Sequence, residues 1–167
     1  MNSVEQLCPN CGICCDSTLF ADVELRKGDD ATRLAKFGLA LEEKGRGKLV
    51  FPQPCACFDG KLCRIYNDRP KRCRTFECGL LKKIETGRMT VNAALGKISE
   101  AKMQAEKVRE LLRSLGQCDE QKALTHRYTA AMSAPVNLSD EDHAERRGEL
   151  MLAVNDLMLT LQRDFLK

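Results

Sequence analysis

The 167-residue sequence has no tryptophan, two tyrosines and two histidines, and aromatic residues make up only 5% of it. So small an aromatic supply excludes an aromatic-rich β-sandwich core and leaves Leu, Ala, Val and Met to do the packing. There is no run of 18 or more apolar residues, so no membrane partner is expected. The opening stretch, MNSVEQLCPNCGICC, lacks the basic and apolar segments of a secretory signal, and a reducing, cytoplasmic location is expected. The net charge of +3 is too small to indicate a nucleic-acid binder. No Ser/His/Asp set, paired carboxylates or glycine-rich phosphate loop stands out, so the residues name no reaction and leave open whether the protein is an enzyme.

What the chain does have is ten cysteines within an otherwise ordinary globular composition, 43% hydrophobic and 31% charged. Nine of them precede residue 79: Cys8, Cys11, Cys14, Cys15, Cys55, Cys57, Cys63, Cys73 and Cys78. Only Cys118 comes later, and as a lone thiol it is expected to be a small, half-buried side chain. In a reducing compartment, thiols at short regular spacing are read as metal ligands rather than disulfides.

Two lobes are expected, residues 1–80 and 81–167, or one compact domain made of both. The first carries four of the five prolines (Pro9, Pro52, Pro54 and Pro70) and reads as short elements joined by loops. Leu19, Ala21, Val23 and Leu25 alternate as in a strand, and residues 48–51 suggest a second strand after a turn at Gly45 and Gly47. Asp29 is the expected cap of a short helix over residues 30–37, stopped by Gly38. The second lobe reads as three amphipathic helices. The longest starts at Val91 behind Thr90 and ends before Gly116, with apolar residues recurring at a period near 3.6. The next covers about 120–132, with Leu124, Tyr128 and Ala131 on one side, and stops before Pro135. The last follows Ser139-Asp-Glu-Asp142, with Arg147, Leu150, Val154, Leu157, Leu161 and Phe165 at a 3–4 spacing, and Met132, Met151 and Met158 are read as core filler. The expected fold is mainly α: a cysteine-rich lobe of irregular elements with a small β hairpin, packed on an antiparallel helical bundle.

The first cysteine array is Cys8-Pro-Asn-Cys11-Gly-Ile-Cys14-Cys15. A two-residue spacer lets successive sulfurs turn onto one ion, and Gly12 permits the sharp path. Cys14 and Cys15 are adjacent, so they more readily serve two centres than one. Cys8-Pro-Asn-Cys11 is not a thioredoxin-like pair, because no strand precedes it. The second array supplies five thiols between Cys55 and Cys78. Nine thiols suffice for two four-coordinate metals, or for one iron–sulfur cluster with thiols to spare. With so many thiols, neither His126 nor His143 is needed as a ligand, and His143 is expected at the surface.

Between Lys61 and Arg74 six basic residues face one acid, Asp68. Beside so many thiolates this reads as charge compensation, since two divalent ions on eight thiolates leave four net negative charges. Arginine N–H groups can donate to the sulfurs, and Arg69, Arg74 and Tyr66 are expected around the centre. Arg69-Pro70 is read as a rigid turn that positions Cys73.

These residues resemble the CxxCxxCC family of zinc- or iron-chelating proteins (YkgJ-like). Its pattern is C-x2-C-x2-C-C followed, after a spacer, by a segment resembling C-x7-C-x-I-Y-x-x-R-P-x-x-C-R-x-F-x-C. Here the second part runs through Cys55, Cys63, Ile65, Tyr66, Arg69, Pro70, Cys73, Arg74, Phe76 and Cys78. The resemblance implies metal ligation by Cys8, Cys11, Cys14, Cys15, Cys55, Cys63, Cys73 and Cys78. Cys57 falls where the pattern shows an apolar residue and stands as an additional candidate. The implied cofactor is zinc or iron, as a mononuclear or binuclear site or an iron–sulfur cluster, with the metal ion itself as the partner. Some relatives are flagellin lysine methylases, so the alternative reading is an iron–sulfur protein with a redox or protein-modifying role. A further expectation is a protein partner docked on the C-terminal helices.

Overall fold

The computed structural model describes residues 3–167, with side-chain burial from Gln6 onward. Seven helices and three short strands are laid out in chain order: α1 (Ser3–Cys11), β1 (Asp22–Glu24), α2 (Ala31–Lys36), β2 (Glu42–Lys44), β3 (Lys48–Pro52), α3 (Lys71–Thr75), α4 (Gly79–Glu85), α5 (Val91–Ser114), α6 (Leu124–Ser133) and α7 (Glu141–Thr160). A 3-10 turn, Tyr66–Asp68, precedes α3, and a π turn, Leu161–Phe165, continues α7. The chain is mainly α with one small sheet, as expected.

The long helix α5 organises one apolar cluster. Its inward face carries Ala94, Ile98, Ala101, Ala105, Val108 and Leu112, alternating steps of four and three residues. The three alanines allow neighbouring helices to approach closely. Against this face α7 buries Leu150, Ala153 and Leu157. Arg163, beyond the end of α7, lies 3.7 Å from Glu100 in the first half of α5, as an antiparallel pair requires. Thr90 Oγ1 accepts the Ala93 N–H at 3.2 Å and begins α5. The helix ends at Gly116, φ 80°, where the Gln117 N–H returns to the Leu112 carbonyl.

Two helices that the cysteine spacing concealed join this bundle. α1 carries Cys8 and Cys11, and Leu7 and Ile13 are buried in the same cluster as α5 and α7. α4 adds Leu80 and Leu81. The period-3.6 signal in α1 is masked because its ligand-type residues replace apolar ones and Pro9 lies within it.

A second apolar cluster gathers Val23, Leu34, Leu39, Phe51, Cys57 and Ile65 around the sheet. The strand order is β1-β3-β2, all antiparallel, with Val23 opposite Phe51 and Glu43 opposite Leu49. The expected hairpin is therefore one strand larger. β2 has no apolar residue to mark it, and is recruited by the turn through Arg46 and Gly47 at positive φ. Ion pairs Lys44–Asp22 and Lys48–Glu24 line its exposed face.

Several local expectations are corrected. The cap of α2 is Asp30, whose side chain accepts the Arg33 N–H, while Asp29 bonds the N–H groups of Arg26 and Lys71. α6 starts at Leu124 rather than near 120. Its first turn has no capping side chain of its own, and the Leu124 N–H is taken by the buried Ser17 Oγ at 3.3 Å. Cys118 is exposed, its thiol donating to the Arg113 carbonyl. Met132 packs on the helical cluster, whereas Met151 is 59% exposed and fills no core. Arg147, at an apolar-stripe position, is buried because its guanidinium bonds the carbonyls of Met132 and Ala134 at the end of α6. His143 is half-buried rather than at the surface, at the start of α7. Among the described residues no helix is long and apolar enough to cross a membrane.

Candidate metal centre

The first four thiols are positioned by the way α1 ends. Cys8 and Cys11 sit three residues apart on its last turn. Gly12 then takes φ 73°, and a side chain there would run into the Phe58 ring, so this turn accepts only glycine. The N–H groups of Cys15 and Asp16 return to the Gly12 carbonyl at 2.8 and 3.0 Å. The segment is then anchored to α5. Arg109 Nη2 lies 3.2 Å from Asp16 Oδ2 and donates to Thr18 Oγ1 at 2.9 Å.

The second array folds back onto the first through the Cys55 N–H, which bonds the Cys15 carbonyl at 2.8 Å. From there the chain makes a tight excursion. Asp59 Oδ1 accepts the N–H groups of Lys61 and Leu62, and Phe58 bridges Cys63. After the 3-10 turn, Arg69 and Pro70 lead into α3, which carries Cys73, and Asp29 holds its first N–H at 2.8 Å. Cys78 immediately precedes α4, and Phe76 meets Phe20 edge-on at 5.1 Å, keeping this connection against the first array.

All ten cysteines are free thiols, and the eight motif cysteines are each half-buried. They fall into two electrostatic neighbourhoods. Cys8, Cys11, Cys14 and Cys78 act on one another electrostatically. Cys15, Cys55, Cys63 and Cys73 do the same, and Cys57 joins this group, hydrogen-bonded with Cys55 and interacting electrostatically with Cys55 and Cys63. The apolar clusters divide the thiols along the same line: Cys8, Cys11 and Cys78 pack on the helical cluster, and Cys55, Cys63 and Cys73 on the sheet cluster. The adjacent pair Cys14–Cys15 is split between the sets, although the two thiols also repel each other.

Burial first, and neighbouring thiols second, make six of these groups hard to ionise without a cation. Burial pushes Cys55 up to about 11, and Cys11 and Cys73 up to about 12; Cys8, Cys14 and Cys15 are also raised. Two backbone amides oppose this: the Ile13 N–H donates to the Cys11 sulfur and the Cys57 N–H to the Cys55 sulfur. Both are bonds from two residues downstream, the sort that supports a bound thiolate. Among the described residues no three Cys, His, Asp or Glu side chains form a ready-made ligand set.

Of the three residues expected around the centre, Arg69 is the one whose charge acts on both sets, on Cys8 and on Cys73. Its guanidinium lies 3.6 Å from the centre of the Tyr66 ring, and its Nε donates to the Tyr66 carbonyl at 2.8 Å. Arg74 is exposed and lines, with Arg69, Asp29, Arg33 and Asp68, a cavity of about 150 Å³. Cys57 is fully buried in the sheet cluster, and its thiol donates to the Phe37 carbonyl at 3.4 Å. Asp29, singled out only as a helix cap, holds the start of α3, and Gly79, not singled out at all, follows Cys78. The tandem acids Asp29-Asp30 were the signal for the first, because a helix needs only one cap.

A cysteine set of this kind, drawn from these two stretches, matches a known family model over residues 7–93, just over half of the chain. The chain belongs to the CxxCxxCC family. That family is described as a putative zinc- or iron-chelating domain. The CxxCxxCC match takes in both arrays, the sheet and α4, and stops at the start of α5. No curated protein and no solved structure matches the chain.

The donors fit the metals that the CxxCxxCC description names. Both sets are entirely sulfur, which suits zinc or iron and not calcium or magnesium. A thiol that burial holds protonated becomes a good ligand when a cation supplies the missing charge.

Proposed function

We propose that the protein holds two metal ions, zinc or iron, one on Cys8, Cys11, Cys14 and Cys78 and the other on Cys15, Cys55, Cys63 and Cys73. The observation that carries this reading is that Cys8, Cys11 and Cys78 on one side, and Cys55, Cys63 and Cys73 on the other, are grouped alike by electrostatic neighbourhood and by apolar packing, while Cys14 and Cys15 are assigned by their thiol neighbours alone. Four thiolates fill a tetrahedral ion, leaving no open position for a substrate, so the centres are read as structural. A bound ion cancels the repulsion among its thiolates and ties together distant stretches of chain. The first would join α1 to α4, and the second would join the Cys15 turn to α3. Cys57 is assigned to the core, and the two lobes to one compact unit, because α1 and α4 share the cluster of α5. Eight free thiols serving as ligands require a reducing environment, which supports a cytoplasmic location.

Native mass spectrometry with elemental analysis tests this. Two ions per chain are expected, with one lost in Cys78→Ser, the other lost in Cys73→Ser, and no loss in Cys57→Ser. A single ion that needs cysteines of both sets would overturn the division. The iron–sulfur alternative, with its redox or methylase-like role, requires inorganic sulfide and visible absorbance after anaerobic purification.

A further inference from the structure

Gly79 is the residue after Cys78 and the first of α4. It is buried, and a side chain there would collide with the Lys167 carbonyl oxygen and stand 2.6 Å from that of Asp164. Both obstacles are backbone, so they cannot swing aside as a side-chain tip would. The polypeptide of residues 164–167 is therefore laid directly against the residue that follows Cys78.

Several contacts hold it there. Lys83, one turn further along α4, donates to the Arg163 carbonyl at 2.9 Å and lies 3.6 Å from Asp164 Oδ1. Asp164 is only 3% exposed, and its carboxylate accepts from Arg163 Nε and Nη2 at 3.1 and 2.6 Å. Leu80 and Leu81 share an apolar cluster with Leu161 and Phe165. The π turn brings Leu161, Asp164 and Phe165 all inside, closing with the Leu166 N–H on the Leu161 carbonyl. π turns of this kind recur at functional sites.

We infer that residues 161–167 form a clasp on α4 that fixes Cys78 in place, which makes Gly79 and Lys83 positioning residues for the first metal set. This rests on reading Cys78 as a ligand. The clasp lies wholly outside the part of the chain that the family model covers. Cys78 is the one member of its set not contributed by the Cys8–Cys14 stretch, so holding it still decides whether that set closes.

The test compares wild type, Gly79→Ala, Lys83→Met and the control Leu150→Ala, which loosens the same apolar cluster three turns before the clasp. Metal transfer to a chromophoric chelator is followed, together with iodoacetamide labelling mapped by mass spectrometry. In both clasp variants one of two metal equivalents should leave faster, on the order of 10-fold, with Cys78 labelled while Cys73 stays protected. Lys83→Met keeps the test open should Gly79→Ala fail to fold. Wild-type release and labelling in both variants, or equal acceleration in Leu150→Ala, would overturn the clasp. A wild-type protein without two metals would instead overturn the two-ion reading. The clasp is then decided by labelling alone, with faster modification of Cys78 than of Cys73 in the variants supporting it and unchanged labelling rejecting it.

Discussion

Arg69 shows how much a single side chain can decide. Its guanidinium acts on Cys8 of one set and Cys73 of the other, and stacking on Tyr66 removes its freedom to serve only one of them. On the proposed two-ion reading, a positive charge shared by both thiol groups lowers the cost of loading both ions. Arg69→Met should therefore weaken both metals, by on the order of 10-fold each, in competition with a chelator. Arg69→Lys should recover only part of the loss, because an ammonium neither stacks nor donates through a rigid fork. Weakening of one metal alone would show that the guanidinium serves a single set. The sequence placed this arginine near the metal through the Arg-Pro motif, but not between two groups. That position depends on Tyr66, whose ring and carbonyl both hold it.

At the scale of elements, the helices show where periodicity succeeds and where it fails. α5 follows its apolar spacing from the Thr90 cap to Gly116, because one long buried face dominates its energetics. α1, α3 and α4 are short, and their cysteines and basic residues obscure any apolar face. β2 is exposed along its length and exists only because β3 pairs with it. The π turn was also not legible, since its widening answers the demand that Asp164 and Phe165 both face inward. Burial pushes the Asp164 carboxyl up. The hydrogen bonds and charge of Arg163, with Lys83 and Lys97, outweigh it, so the group lies below its ordinary value. A lowered folded value favours folding above the unfolded pKa, and that gain disappears as pH falls through the folded one. Asp164→Asn should therefore cost about 1–3 kcal/mol at neutral pH. Urea titrations at falling pH should show the difference shrinking below about pH 4. A cost unchanged in acid would mean that the carboxylate charge contributes nothing.

Over the whole molecule, the two apolar clusters predict how the protein responds to metal loss. The helical cluster contains α5, α6 and α7, large elements with their own buried faces, and can survive without a metal. The sheet cluster has six buried apolar residues around three short strands, far too few to hold a loop-rich stretch alone. A structural zinc can supply about 10–16 kcal/mol. Chelation under reducing conditions should therefore raise hydrogen exchange first between residues 15 and 78, with α5 and α7 staying protected. α1 and α4 should respond in between, because they contact both a thiol set and the bundle. Exchange that rises uniformly along the chain would contradict this order.

The sequence alone identifies a cysteine-rich chain of the CxxCxxCC family with a helical second half. Ligand spacing and apolar period are local properties, written within a few residues of one another. Local spacing suggests that the neighbours Cys14 and Cys15 serve different groups, but it could not decide which of the distant thiols each one meets. Their assignment depends on where Cys55, Cys73 and Cys78 return in space, and only the packing of α1 and α4 on the bundle and of α3 on the sheet specifies that.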